Sequence, residues 1–172
     1  MATLRQVVDM LDDILCLPKS SARGHAQRLQ ASGILSATQG HPSQISADGI
    51  AAIIIAIAVG SPLVGDYLTL LPGNGGPSFG KVLARFIEEP NDLLELEIDT
   101  LAPGASVTFR GSDHGVQTLT FYRSEPHQRP AYSREVRLGP ETFVRLAAAI
   151  AAAPEVRAGR PRLRDRFKRI TV

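Results

Sequence analysis

A chain of 172 residues, 44% hydrophobic and 21% charged, has enough apolar content to bury a core and is neither a disordered nor a fibrous sequence. Its one cysteine, Cys16, excludes a disulfide framework and a cysteine-based zinc site, and predicts a reducing compartment, with the cytoplasm as the expected location. The formal charge of +2 is unevenly spread: from Glu155 to Val172 seven cations face two anions, which leaves the other residues at −3, so attraction to polyanions concentrates in the tail.

The first residues, MATLRQVVDMLDD, carry acids where a signal peptide needs a basic start and an apolar run. Instead, Thr3 and Gln6 have capping-box spacing, and Leu4, Val7, Val8, Leu11 and Leu15 form the apolar stripe of a helix. Asp9, Asp12 and Asp13 are expected on its outer side, and Cys16, between Leu15 and Leu17, as a small core residue. After Pro18 a second helix is predicted over Lys19 to Ser32, with Ala22, Ala26 and Leu29 inward and Gly33 ending it before a buried Ile34-Leu35. Its opposite face presents Ser20, Arg23, Gly24, Gln27 and Arg28 and no bulky apolar residue. Arg and Gln have the fork geometry to read base edges in a major groove, so Arg23, Gln27 and Arg28 are the expected base readers. Lys19, Ser20 and Ser21 at the amino end suit phosphate oxygens. Gly24 costs roughly 1 kcal/mol against Ala in a helix interior, which suggests close approach to the backbone there. An ordinary amphipathic helix with a solvated polar face is the competing expectation.

Gly40-His41-Pro42 then forms a turn between two short strand-like segments, and Ser46 can cap a helix from Ala47 to Val59 that is apolar nearly all round. That helix is expected to be buried, with a dimer interface as one possible cover. The apolar run Ile50 to Val64 is broken by Gly60 and Pro62 and falls short of the roughly 18 to 20 residues that span a bilayer, so no membrane association is expected.

The succession SSARGHAQRLQASGILS, a Gly-Pro turn and QISADGIAAIIIAI resembles the reading helix, wing and following helix of winged helix-turn-helix regulators of the MarR type. The R-L-x-x-x-G-[IL]-[LIV] ending of that family's recognition helix is matched by Arg28-Leu29 and Gly33-Ile34-Leu35, and its serine-started following helix by Ser46 and Gly49. The resemblance covers roughly residues 3 to 59. It implies that α-helical reading of DNA is accompanied by wing contacts around Gln39, His41 and Ser43.

The following residues to position 90 read as a short apolar segment from Leu63 to Leu71, strand-like from Tyr67, a glycine-rich connector and a helix from Lys81 to Glu88. The period then changes to two. Leu94, Leu96 and Ile98 alternate with Glu95, Glu97 and Asp99, and strands follow around Val107 and Phe109, from Val116 to Arg123 and from Arg134 to Leu138. Arg134 and Arg137 are placed to pair with the acidic face. Pro140 opens a helix whose Phe143, Val144, Ala147 and Ile150 are expected on the sheet, and Pro154 closes it. The predicted fold class is α+β. A winged helix-turn-helix (1–60) and a helical connector (61–90) precede an antiparallel meander with a covering helix (91–154) and a basic tail (155–172).

Catalytic motifs are present only in fragments. Gly75 to Lys81 has the G-x-x-x-x-G-K spacing of a phosphate loop, but Val82 stands where Ser or Thr should hold magnesium. Ser78 between Gly76 and Gly80 imitates a nucleophile elbow, with Asp99 and His114 or His127 later in the chain, but Pro77 precedes the serine. Ser112-Asp113-His114 reads as a hairpin turn, and the four histidines have no ligand spacing, so neither metal nor cofactor nor enzymatic activity is expected. In the tail, Gly159-Arg160-Pro161 resembles the core of an AT-hook, and Arg157, Arg160, Arg162, Arg164, Arg166, Lys168 and Arg169 are expected on phosphates or in a minor groove, or to serve only as a solubilising end. The function expected from all this is sequence-specific binding of double-stranded DNA by a homodimeric bacterial or phage-type transcriptional regulator. A phage DNA-packaging component and a pure protein-interaction module are the alternatives, with the second half available for dimerisation, sensing or docking of a protein partner.

Overall fold

The computed structural model describes residues 2–36, 44–122 and 134–155. Helix α1 (Leu4–Ile14) begins at the predicted capping box: the Thr3 N–H donates to Gln6 Oε1 at 2.8 Å, and the Gln6 N–H to Thr3 Oγ1 at 3.4 Å. Its stripe of Val7, Val8 and Leu11 is buried. Asp12 does not lie on the outer side. It follows Leu11 on the buried stripe, 7% exposed, and accepts the Ser20 N–H at 2.7 Å and the Ala22 N–H at 2.8 Å. Cys16 is also displaced from the core: it sits exposed at φ +52°, in the turn that carries the chain away from α1.

Helix α2 (Ser21–Ala31) starts two residues later than predicted, because Ser20 at φ +67° cannot continue a right-handed helix. Ala22, Ala26 and Leu29 form its buried face. Gly33, at φ +77°, ends it, and the N–H groups of Ile34 and Leu35 return to the Leu29 carbonyl at 3.0 and 3.1 Å. Ile34 is 37% exposed, so only Leu35 of that pair is buried. Helix α3 (Ala47–Val59) is capped by Ser46, whose Oγ accepts the Gly49 N–H at 3.3 Å. Every residue from Gly49 to Ala56 is buried within this one chain, against α2 and the elements that follow, and Ile57 to Val59 are half-buried.

Gly60, at φ +90°, interrupts α3, and Pro62 restarts a turn of 3-10 helix at Ser61–Leu63. Helix α4 (Val64–Leu68) then takes Tyr67 and Leu68 from the stretch expected to be strand-like up to Leu71, and only Leu71–Pro72 forms a strand, β1. From α4 the Tyr67 ring reaches full burial, and its hydroxyl meets the carbonyls of Asp99 and, at 3.1 Å, Ala102. Helix α5 (Phe79–Glu88) starts two residues before the predicted Lys81, with the Phe79 N–H bonded to the Leu70 carbonyl at 2.8 Å. At Gly80 a Cβ would stand 2.7 Å from Leu68 Cδ2, so glycine is what lets α4 and α5 approach.

The sheet adds β2 (Leu93–Asp99), β3 (Gly104–Arg110), β4 (Val116–Tyr122) and β5 (Glu135–Leu138). It is antiparallel in the order β1-β4-β3-β2-β5, so the expected meander is limited to β2, β3 and β4. Leu93, Leu96, Ile98, Ala105, Val107 and Phe121 point to the helices. Glu97, Ser106, Thr108 and Thr118 share the other face, where Arg137 Nε is 2.9 Å from Glu97 Oε1. Arg134 contributes its carbonyl, which accepts the Thr100 N–H and hydroxyl at 2.7 and 2.8 Å. Helix α6 (Pro140–Ala152) buries Phe143 and Leu146, whereas Val144 is 45% exposed. Its inner face is turned from the predicted one because it lies against α1 and α5 as well as β2. A single hydrophobic cluster runs from Ala2 through α3 and the sheet to Leu146.

Candidate nucleic-acid interface

The polar face of α2 is held outward from both sides. Leu29 and the two alanines are buried between α1 and α3, and Asp12 fixes the helix start through two backbone N–H groups. Lys19, Ser20, Gln27 and Arg28 are exposed, and Ser21 is half-buried. Arg23 is half-buried too, and its guanidinium lies 3.6 Å from the more exposed carboxylate of Asp9 on α1. Such a pair is worth roughly 0–1 kcal/mol and gives way readily to a stronger anion. Beside Gly24 nothing lies within 4 Å of the position a Cβ would take, so the centre of this face is open down to the backbone.

The helix start itself is partly taken. The Asp12 carboxylate occupies two N–H groups, and the Ser21 N–H is bonded to the Pro18 carbonyl at 3.0 Å, so an incoming phosphate would be left with side chains rather than the backbone cradle. Asp12 was not legible as this cap: the usual signal is a capping residue next to the helix, and Asp12 is ten residues before Ala22. His25, on the flank of α2, has Nδ1 3.1 Å from Ser61 Oγ and is held below its ordinary pKa by burial and, secondarily, by Arg28. It therefore favours the neutral imidazole. Sequence spacing gave no sign of this contact, which spans 36 positions.

Gln39, His41 and Ser43, the expected wing contacts, and Arg157, Arg160, Arg162, Arg164, Arg166, Lys168 and Arg169 of the tail lie outside the described residues, as does His127. Where the described chain resumes it lies at the start of α1, since Gln44 bridges to Thr3 and the Ile45 N–H bonds to the Ala2 carbonyl at 3.3 Å.

The fragmentary catalytic motifs are separated by the fold. Lys81 Nζ is bonded to both carboxylate oxygens of Asp48, at 3.0 and 3.1 Å, and Val82 is buried. Asp99 and His114 stand at opposite ends of β3, roughly 20 Å apart at the rise of a strand. His114 is part of the predicted hairpin turn, closed by the Gly111 N–H to the Gly115 carbonyl at 2.8 Å. Among the described residues no group of three or more histidine, cysteine or acidic side chains is placed to hold a metal ion, and no helix is long and apolar enough to cross a membrane. The protein is thus of the mixed α+β class, with three amino-terminal helices packed beside a helix-covered antiparallel sheet. Comparison with protein-family models, with curated proteins and with solved structures found no match.

Proposed function

We propose that this protein binds double-stranded DNA sequence-specifically through α2, as a homodimeric transcriptional regulator of winged helix-turn-helix type. The observation that carries the reading is the open, non-apolar face of α2, in which Arg23, Gln27 and Arg28 surround a glycine with free space beside it. A helix supported on its inner face by two others, with arginine and amide groups outward, has the width and donor pattern for a major groove. Arg23, Gln27 and Arg28 read base edges, Lys19, Ser20 and Ser21 contact phosphate, and the wing stretch and the tail cations add backbone or minor-groove contacts.

Fluorescence anisotropy over a salt series, first on random duplexes and then on a selected target, tests this reading. Arg28→Ala is expected to lose discrimination between target and random DNA, about 1–3 kcal/mol, while a 1–154 truncation weakens both alike and flattens the salt dependence. Gly24→Ala separates DNA contact from a merely solvated face. A solvated face gains about 1 kcal/mol of stability with no other effect, whereas a face pressed into a groove gains the same stability and binds its target more weakly. Unchanged target binding by both Gly24→Ala and Arg28→Ala would remove α2 from the reading role.

A further inference from the structure

A cleft of about 530 Å³ lies between the amino-terminal helices and α5, outside the α2 face. Its volume is in the range of small-molecule sites. Leu4, Ile34, Ile45 and Leu68 supply an apolar wall, and the charged groups on its lining are Asp48 and Lys81, bonded to each other. Both side chains are more than half exposed, so their pairing is weakly held and each can take a new partner without being stripped of water.

The pairing also selects the ligand. A ligand with one charge meets one attracting and one repelling group on this rim, whereas a neutral one gains nothing from either. A zwitterion whose ammonium and carboxylate share one carbon has nitrogen and oxygen about 3 Å apart, close to the Nζ–Oδ1 spacing of 3.0 Å on the protein. It can set its carboxylate on Lys81 and its ammonium on Asp48 to complete a square of four alternating charges. Its side chain then lies on the apolar wall. We propose that this cleft is a binding site for an α-amino acid with an unbranched or branched aliphatic side chain.

The cleft is lined by the residues that leave α2, Ile34 to Ser36, and by the first turns of α3 and α5. An occupant therefore touches the chain on which α2 is mounted, and a small-molecule effect on DNA binding follows. That consequence rests on the DNA reading, while the binding site does not, so the two are measured separately.

The experiment is isothermal titration calorimetry of the full chain, without DNA, using L-norleucine and its two deletion analogues, hexanoate and pentylamine. Norleucine is expected to bind, and each analogue to bind at least about tenfold more weakly because it leaves one charge of the pair unmatched. In Asp48→Asn the advantage of norleucine over hexanoate is expected to disappear, and in Lys81→Gln its advantage over pentylamine. Thermal unfolding confirms that both variants fold. Equal binding of all three compounds, or no norleucine binding up to about 10 mM, overturns the proposal. Binding with the expected selectivity but no change in DNA affinity retains the site and removes only its link to α2.

Discussion

Asp12 shows how one side chain couples two helices. Its carboxylate is buried and receives two N–H groups from the start of α2, so it joins the tilt of α2 to the last turn of α1. Removing it leaves two donors without that acceptor, and Asp12→Ala is expected to lower stability by about 2 kcal/mol in urea unfolding, with Asp12→Asn in between. A loss within about 0.5 kcal/mol would mean that water replaces the carboxylate without cost. His25 gives a pH dependence of definite sign. Its folded pKa lies below the ordinary 6.5, chiefly through burial and then through Arg28. Above that value both states are neutral. As the pH falls below 6.5 the unfolded chain takes up the proton first, so stability declines until the folded imidazole protonates as well. The fall in melting temperature between about pH 7.5 and 5.5 is therefore expected to be smaller in His25→Gln than in the wild type. Equal falls would assign the acid sensitivity to other groups.

The elements differ in how far local sequence decided them. In α1 the apolar period and a capping box agree, and the helix forms with both reciprocal hydrogen bonds in place. The alternating residues of β2 likewise put Leu96 and Ile98 on the buried face, but a register shift between Leu93 and Glu95 buries Leu93 in place of the expected Leu94. Helix α4 is the counterexample, because an aromatic and aliphatic stretch fits a short strand as well as a short buried helix. What accompanies the helix is Tyr67, whose hydroxyl reaches the β2–β3 turn from it. Burial, followed by the negative charges of Asp99 and Asp66, raises its pKa to about 12, which keeps it a neutral donor. Tyr67→Phe is expected to cost about 1–3 kcal/mol by leaving the Asp99 and Ala102 carbonyls without their donor. Denaturant unfolding measures this, and a cost near zero would show that the ring alone holds α4 in place.

Across the whole molecule, α3 is the axis of the core. Its Ile53, Ile54 and Ile55 are at most 1% exposed, and the helix touches α2, α4, α5 and β2. Burying each of these side chains contributes about 1.5–3 kcal/mol. Because one hydrophobic cluster joins the α2 support to the sheet, unfolding is expected to be a single transition. Ile54→Ala should lower the stability of the amino-terminal helices and of the sheet together, by about 2–5 kcal/mol. Hydrogen exchange resolved by segment checks this. Loss of protection confined to α1 and α2 would instead mean that the helical unit opens independently of the sheet.

Local sequence specified the α+β composition, the positions of α1, α2, α3 and strands β2 to β5 to within about two residues, and the outward polar face of α2. Those features follow from periods of 3.6 and 2 and from caps that act over three or four positions, which local pattern carries in full. Tertiary structure decided the rest. It buried Asp12, exposed Cys16 and Val144, turned Tyr67 into an anchor, placed β5 beside β2 and brought Asp48 to Lys81 across 33 positions. Each of these depends on which surfaces meet after the chain has closed on itself, and no window of neighbouring residues contains both partners.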